Sequence, residues 1–392
     1  MEPDLSELDA FLDHGGVDGY LIEADSTDAD QLYLSGFDAP DSFVTLYADG
    51  THLLVSGLEY GRARTESRAE TVSRYADYGH REKVAEYGST GAKIRVIGEF
   101  LADRDVESAA VPARFPVASA DGLRELGIEV CPETDGVVTG IRAVKTEEEI
   151  DFVREAQRAN EAAMRTAEEL LEEASVEEGV LHHEGEPLTS ERVRTEIEIA
   201  LLRLEHSLDE TIVACGADAA DPHDRGSGPL RVDEPIVVDV FPRSKKTKYH
   251  ADMTRTFVVG EPSERAREWY DLTAEAKEAA LEAIEPGATG AEVHAAACEV
   301  YEEAGLPTLR SDESTETGFI HSTGHGIGLD VHELPRLSED GGELEAGHVV
   351  TVEPGLYDPE VGGVRIEDLV VVREGDGGYE NLTDYPEEFV ID

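Results

Sequence analysis

Lysine is nearly missing from this chain, with seven residues among 392. Cysteine is almost as rare: Cys131, Cys215 and Cys298 are widely spaced and odd in number. That excludes a disulfide framework and a zinc knuckle, and leaves the expectation of three small apolar core residues. No stretch approaches the roughly 18 uncharged residues that a membrane-spanning helix requires. The opening MEPDLSELDAFL has neither the basic segment nor the apolar run of a secretory signal, so the expected location is the cytoplasm. Positive charge of any kind is scarce. Lysine and arginine total 33 against 88 aspartates and glutamates, a formal charge of -55. Nucleic acid and anionic membranes would be repelled, and both are excluded as partners.

What is present is enough to fold. At 40% hydrophobic residues the chain is too apolar to be a disordered acidic polymer, and its length fits two ordinary domains. The acid is spread along the whole chain rather than gathered in a tail. A coat of short carboxylates suits a molar-salt cytoplasm, where screening shortens the Debye length to roughly 3 Å, so the expected source is a halophile.

The first 142 residues read as an α/β domain. GYLIEA (19–24), FVTLYA (43–48), HLLVSG (52–57), KIRVIG (93–98) and ESAAVP (107–112) predict strands, and the polar stretches near 61–70 and 80–87 predict helices. No reactive-looking cluster falls there. From 143 to 392 the texture changes. Thr146 followed by Glu149 forms a capping box, and Ile150, Val153, Met164, Ala167 and Leu171 make one helical stripe. A second helix is predicted from Val193, Ile197, Leu201, Leu204 and Leu208, followed by strands at TIVACG, PIVVDVF and HADMTRTFVV. The plan then repeats: helices near 263–284 and 290–304 precede strands at HVVTVEPGLY and GVRIEDLVVV. Residues 146–260 and 261–392 therefore predict two copies of one helix–helix–hairpin unit, related by a pseudo-twofold.

Each hairpin carries two carboxylates inside apolar runs: Asp239 and Asp252 in the first, Glu353 and Glu367 in the second. Their separations, 13 and 14 residues, fit adjacent antiparallel strands. A single acid in a strand of so acidic a protein belongs on the solvated face. Four at matched hairpin positions point elsewhere, because together in a core they would repel and protonate unless cations joined them. HSTGHGIGLDVH (321–332) adds three of the thirteen histidines within twelve residues, amid glycines that permit close backbone approach. It lacks the HExxH spacing of single-zinc peptidases. One imidazole with four carboxylates suits Mn²⁺, Co²⁺, Fe²⁺ or Mg²⁺ at least as well as Zn²⁺. Two such ions about 3.5–4 Å apart would bind a water and bring its pKa toward about 7.

These segments resemble the pita-bread metallopeptidase family, and within it the Xaa-Pro dipeptidase and aminopeptidase P members. YLSGF (33–37) is similar to the creatinase-type N-terminal domain, IRAVKTEEEI (141–150) to the domain junction, and DMTRTF, TVEPGLY and RIED to the catalytic domain. The resemblance implies an α/β N-terminal domain at 1–142 and an α+β pita-bread catalytic domain at 143–392. It implies two divalent ions, Mn²⁺ foremost, held by Asp239, Asp252, His325, Glu353 and Glu367, with Asp252 and Glu367 bridging. A metal-bridging hydroxide would cleave the Xaa-Pro bond of a peptide or dipeptide, with Glu353 shuttling the proton. His223 would lie on the leaving-group side, His332 at the scissile carbonyl, His321 in the wall of the proline pocket, and Arg365 beside the bridging glutamate. A homodimer is also implied. The chain departs from the family at Phe241, where a glycine is usual, and in a longer hairpin tip, RSKKTK (243–248). Other readings are a methionyl aminopeptidase, a creatinase-like amidine hydrolase, or a metal-free binding module on the same fold.

Overall fold

The computed structural model describes residues 3–375 and 377–391. The chain divides into two compact units, Met1–Arg142 and Ala143–Asp392. The first unit is built on a mixed six-stranded sheet. Its spatial order runs Thr71–Arg74, Thr51–Val55, Phe43–Tyr47, Gly19–Ala24, Ser108–Pro112, Glu129–Glu133. Antiparallel pairing joins the three strands Gly19–Ala24, Phe43–Tyr47 and Thr51–Val55, and parallel pairing adds the others.

KIRVIG, expected as a strand, is instead the second half of the helix His80–Ala102, which kinks at Gly88 (φ 73°). Ile94 and Val96 mimic a two-residue alternation, but the run continues through Ile97, Phe100 and Leu101. That longer stripe has a helical period, and it is buried against Leu21, Val44 and Leu46 of the sheet. Two of the three cysteines also depart from expectation: Cys298 is buried, whereas Cys131 and Cys215 are only half-buried.

The second unit repeats one plan twice. The helix Glu147–Glu172 opens on the Thr146–Glu149 capping box and pairs with the helix Ser190–Arg203. Both pack on a sheet ordered Thr211–Cys215, Ile236–Val240, Met253–Val259, Val390–Ile391. Val193, Ile197 and Leu201 are buried as the periodicity requires; Leu204, however, caps the helix and is exposed, and Leu208 lies beyond it. The helices Glu264–Glu282 and Gly290–Glu303 then cover a second sheet, ordered Glu333–Leu337, Gly324–Gly326, Val349–Val352, Asp368–Val372, Tyr379–Asn381.

Alternation along the strands sets what each face carries. Ile236, Val238 and Val240 point into the helix-side core, so Asp239 belongs to the opposite face. In the same way Val370 and Val372 pack toward the second helix pair.

Candidate metal centre

The second hairpin opens where its two glutamates face each other. Val352 pairs with Asp368, and beyond the gap Gly355 pairs with Arg365 in the same register. Glu353 and Glu367 therefore stand opposite one another at a break in the ladder. Pro354 has no N–H and cannot bridge the gap. The freed groups find other partners: the Glu353 N–H donates to the Thr323 carbonyl at 2.8 Å, and the Glu367 N–H to the Thr254 carbonyl at 3.1 Å. The second of these bonds ties one hairpin to the other.

In the first hairpin Asp239 lies opposite Thr254, and Asp252 is two residues earlier on the same side, a diagonal neighbour rather than a direct one. The expectation of four carboxylates within strands is met by Asp239 alone. Asp252, Glu353 and Glu367 sit at strand ends, where a side chain is freer to turn toward a common point.

His325 enters on the short strand Gly324–Gly326. A Cβ on either flanking glycine would come within 2.0 Å of a backbone carbonyl, of Thr351 in one case and Leu334 in the other, so only glycine allows this close pairing. The His325 N–H donates to Thr351 Oγ1 at 3.0 Å, and Nδ1 donates to the Gly326 carbonyl at 3.2 Å. That bond fixes the tautomer and leaves Nε2 with its lone pair, 3.3 Å from Glu353 Oε1 and 3.9 Å from Asp252 Oδ2. Burial holds His325 down to about 3, so it is neutral.

Oxygens of Asp239, Asp252 and Glu367 lie within 4.8 Å of one another. Asp239 Oδ1, Asp252 Oδ1 and Glu367 Oε1 are buried with no hydrogen-bond partner. Burial and mutual repulsion push Asp252 and Glu367 well above the ordinary carboxylate range, and burial moves Glu353 up to about 7. Arg365 NH2 meets Asp239 Oδ2 at 2.6 Å and its charge also reaches Asp252, Glu353 and Glu367, but one guanidinium cannot balance four carboxylates. Three converging carboxylates, each with an orphaned oxygen, and a neutral imidazole beside them fit oxygen-preferring divalent cations.

The remaining expected residues surround this cluster. His332 stands edge-on to His325, with ring centres 4.3 Å apart. His321 donates from Nδ1 to the Ser322 carbonyl at 2.7 Å and accepts at Nε2 from the Tyr357 hydroxyl at 2.9 Å; burial holds it down to about 3. Arg365 donates to Tyr357 and to Thr254 Oγ1, each at 3.0 Å. His223 is exposed on its loop, with its backbone N–H held by Asp221. It lies close enough to influence the charge of both His321 and His332.

Sequence reasoning missed Tyr357, Thr254 and Thr351. Thr254 Oγ1 donates to Glu367 Oε2 at 2.8 Å, and Thr351 Oγ1 to Glu353 Oε1 at 3.3 Å. Each stands within two or four residues of an acid already singled out, and that adjacency was the available signal.

The model of metallopeptidase family M24 matches residues 151–374, more than half of the chain. The chain belongs to metallopeptidase family M24. The model of the creatinase/prolidase N-terminal domain matches residues 5–144. As an M24 protein the chain is a metal-dependent peptidase.

The M24 chain is 30% identical to the Xaa-Pro dipeptidase of Pyrococcus furiosus over 98% of each sequence. Among solved structures it superposes on the Xaa-Pro dipeptidase from Bacillus anthracis with a TM-score of 0.81, at 26% identity and 98% of both chains. The X-Pro aminopeptidase from Thermotoga maritima gives a TM-score of 0.77 at 27% identity, covering 96% of this chain and 98% of that one.

Proposed function

We propose that this M24 protein is an Xaa-Pro peptidase whose ligand set is Asp239, Asp252, His325, Glu353 and Glu367, holding two divalent ions, Mn²⁺ foremost. The observation that carries the metal reading is the convergence of three carboxylates, each with a buried, unpartnered oxygen, beside the free Nε2 of a neutral histidine. The names of the similar dipeptidase and aminopeptidase support the choice of bond. Bound there, divalent ions supply Lewis acidity at the scissile carbonyl and acidify a water to a pKa of about 7.

The protein's own residues do the rest. Glu353 is the most exposed of the four carboxylates, with 17% of its side chain accessible, so it faces the substrate cleft. Thr351 Oγ1 donates to its Oε1, and the unprotonated Nε2 of His325 lies 3.3 Å from that same oxygen. Glu353 takes the proton of the attacking water and delivers it to the leaving nitrogen. That delivery matters for an Xaa-Pro bond, because the proline nitrogen carries no hydrogen of its own and leaves as an amine only when protonated. His332, braced against His325, donates to the carbonyl oxygen as negative charge develops on it. His321, packed edge-on against Phe319 at 5.1 Å and tilted against Tyr357 at 5.3 Å, offers an aromatic wall for the pyrrolidine ring. His223 covers the leaving-group side from its exposed loop.

The test is hydrolysis of Ala-Pro and Ala-Pro-Ala by metal-stripped protein, with and without added Mn²⁺, in KCl of about 3 M. Manganese-dependent release of alanine is expected, and the two rates separate dipeptidase from aminopeptidase. Bound metal without cleavage of either peptide would refute the substrate. No bound metal would favour a metal-free binding module.

A further inference from the structure

Behind the ligand face, on the helix side of the sheet, lies a second polar layer that the chemistry does not use. Its centre is Arg255, 1% exposed and three residues after Asp252. A guanidinium has five N–H donors, and here all five are engaged. Nε donates to the Pro386 carbonyl at 3.0 Å. NH1 donates to the Thr254 carbonyl at 2.9 Å and the Glu367 carbonyl at 2.6 Å. NH2 donates to Asp368 Oδ1 at 2.8 Å and the Tyr385 carbonyl at 3.0 Å. Asp368 in turn accepts at Oδ2 from Lys277 at 2.7 Å and from Asn381 at 3.0 Å.

We propose that Arg255 is a positioning residue for the metal centre, fixing the Glu367 backbone against the first hairpin through the two carbonyls that its NH1 joins. The inference rests on the ligand set proposed above. Its physical basis is that a buried ion pair is a poor source of stability, since well-packed apolar residues commonly replace one without loss. An apolar pair, however, cannot hold carbonyl oxygens from two separate hairpins at a set spacing; a rigid, planar fork can. NH1 sits where the hairpins cross, at the same Thr254 carbonyl that accepts the Glu367 N–H. Movement of that crossing shifts the Glu367 carboxylate relative to Asp239 and Asp252. Pro386 and Tyr385 bring in the C-terminal segment, whose strand Val390–Ile391 lies parallel to Met253–Val259, so the tail forms the back-plate of the site.

The experiment compares Mn²⁺ affinity, by competition with a chelator, and the visible absorption of bound Co²⁺ in wild type, Arg255→Lys, Asp368→Asn and Val293→Ala. Lysine keeps the charge but loses the fork. Asp368→Asn keeps the fork on a neutral acceptor and is the second variant should Arg255→Lys fail to fold. Val293→Ala opens the core under the other helix pair and controls for general loss of stability. Arg255→Lys is expected to weaken Mn²⁺ about 10- to 100-fold and alter the Co²⁺ spectrum, with a smaller loss in Asp368→Asn and none in Val293→Ala. Wild-type affinity in whichever of the first two variants folds, or an equal loss in Val293→Ala, overturns the proposal. Absence of metal binding by wild type would instead overturn the metal-centre reading itself.

Discussion

Thr254 and Glu367 meet twice: the threonine hydroxyl donates to the glutamate carboxylate at 2.8 Å, and the threonine carbonyl accepts the glutamate N–H at 3.1 Å. They are 113 residues apart in sequence. Through this pair the two hairpins are locked with their acids facing one point. The hydroxyl also accepts from Arg365 Nε at 3.0 Å, so it orients the guanidinium that holds Asp239.

Thr254→Val keeps the shape and removes both roles of the hydroxyl. The expected outcome is a folded protein with metal affinity lowered about 10- to 100-fold, as for other groups that orient ligands. Thr254→Ser should recover most of it. Calorimetric titration with Mn²⁺ decides the matter, and an unchanged constant in the valine variant would show that the bond is incidental.

Crowding of like charges at the centre predicts an opposite effect on stability in the absence of metal. Burial first, and then the charges of Glu367, Asp239 and Glu353 around it, disfavour the charged form of Asp252. Asp252→Asn removes one charge at constant volume, so the metal-stripped variant should melt at a higher temperature than stripped wild type. Wild type should gain stability on adding Mn²⁺, because a ligand that binds only the folded state raises its melting temperature. The variant should gain little and should lose hydrolysis. Scanning calorimetry with chelator and with Mn²⁺ checks both halves. A stripped variant less stable than stripped wild type would mean that the carboxylate makes contacts worth more than the repulsion it feels.

Much of this centre was legible because each acid interrupts an apolar run, and an interruption that recurs at hairpin spacing is hard to place on a solvated face. The 14-residue separation of Glu353 and Glu367 corresponds to direct opposition, while the 13 between Asp239 and Asp252 is a diagonal. Glycines around His325 were informative for the same reason: their role is steric and local. Thr254, Tyr357 and Arg255 were legible only as neighbours of the acids in sequence, not in their roles. Threonine and tyrosine are ordinary strand residues, and what sets these apart is a partner on a distant segment. The strand expected at KIRVIG failed because six residues are too few to separate a two-residue period from a helical one.

Acid should weaken the fold through two histidines outside the metal centre. His294 is buried, bonded through Nδ1 to Thr323 Oγ1 at 2.9 Å, with Arg310 and Glu302 nearby. His348 is buried near Lys145 and accepts the Glu345 N–H at 3.0 Å. Burial chiefly, and then Arg310 or Lys145, lowers each from 6.5 to about 4. The unfolded chain therefore binds a proton at each site before the folded chain does. Their contribution is intact above pH 6.5 and is lost as pH falls toward 4, on the order of 1–3 kcal/mol per histidine. His348→Asn, whose side-chain oxygen can still accept the Glu345 N–H, should flatten the fall in melting temperature between these limits. An equal slope in the variant would place the acid sensitivity in other groups.

Salt should act in the opposite direction from its usual effect on ion pairs. Exposed pairs such as Arg62–Glu66 and Arg74–Asp77 contribute little each, and screening weakens them. Against them stands a formal charge of -55, with 88 acids and 33 lysines plus arginines, so repulsive neighbours outnumber attractive ones. Raising KCl from about 0.1 M to 1 M shortens the Debye length from roughly 10 Å to 3 Å and removes most repulsion between separated surface acids. Buried pairs such as Arg255–Asp368 are shielded from solvent and should change little. The melting temperature is therefore expected to climb over that range and then level off as the remaining charges are screened. A melting temperature that is flat or falling with KCl would mean that the attractive pairs outweigh the acidic coat, and the reading of that coat as an adaptation to molar salt would fail with it.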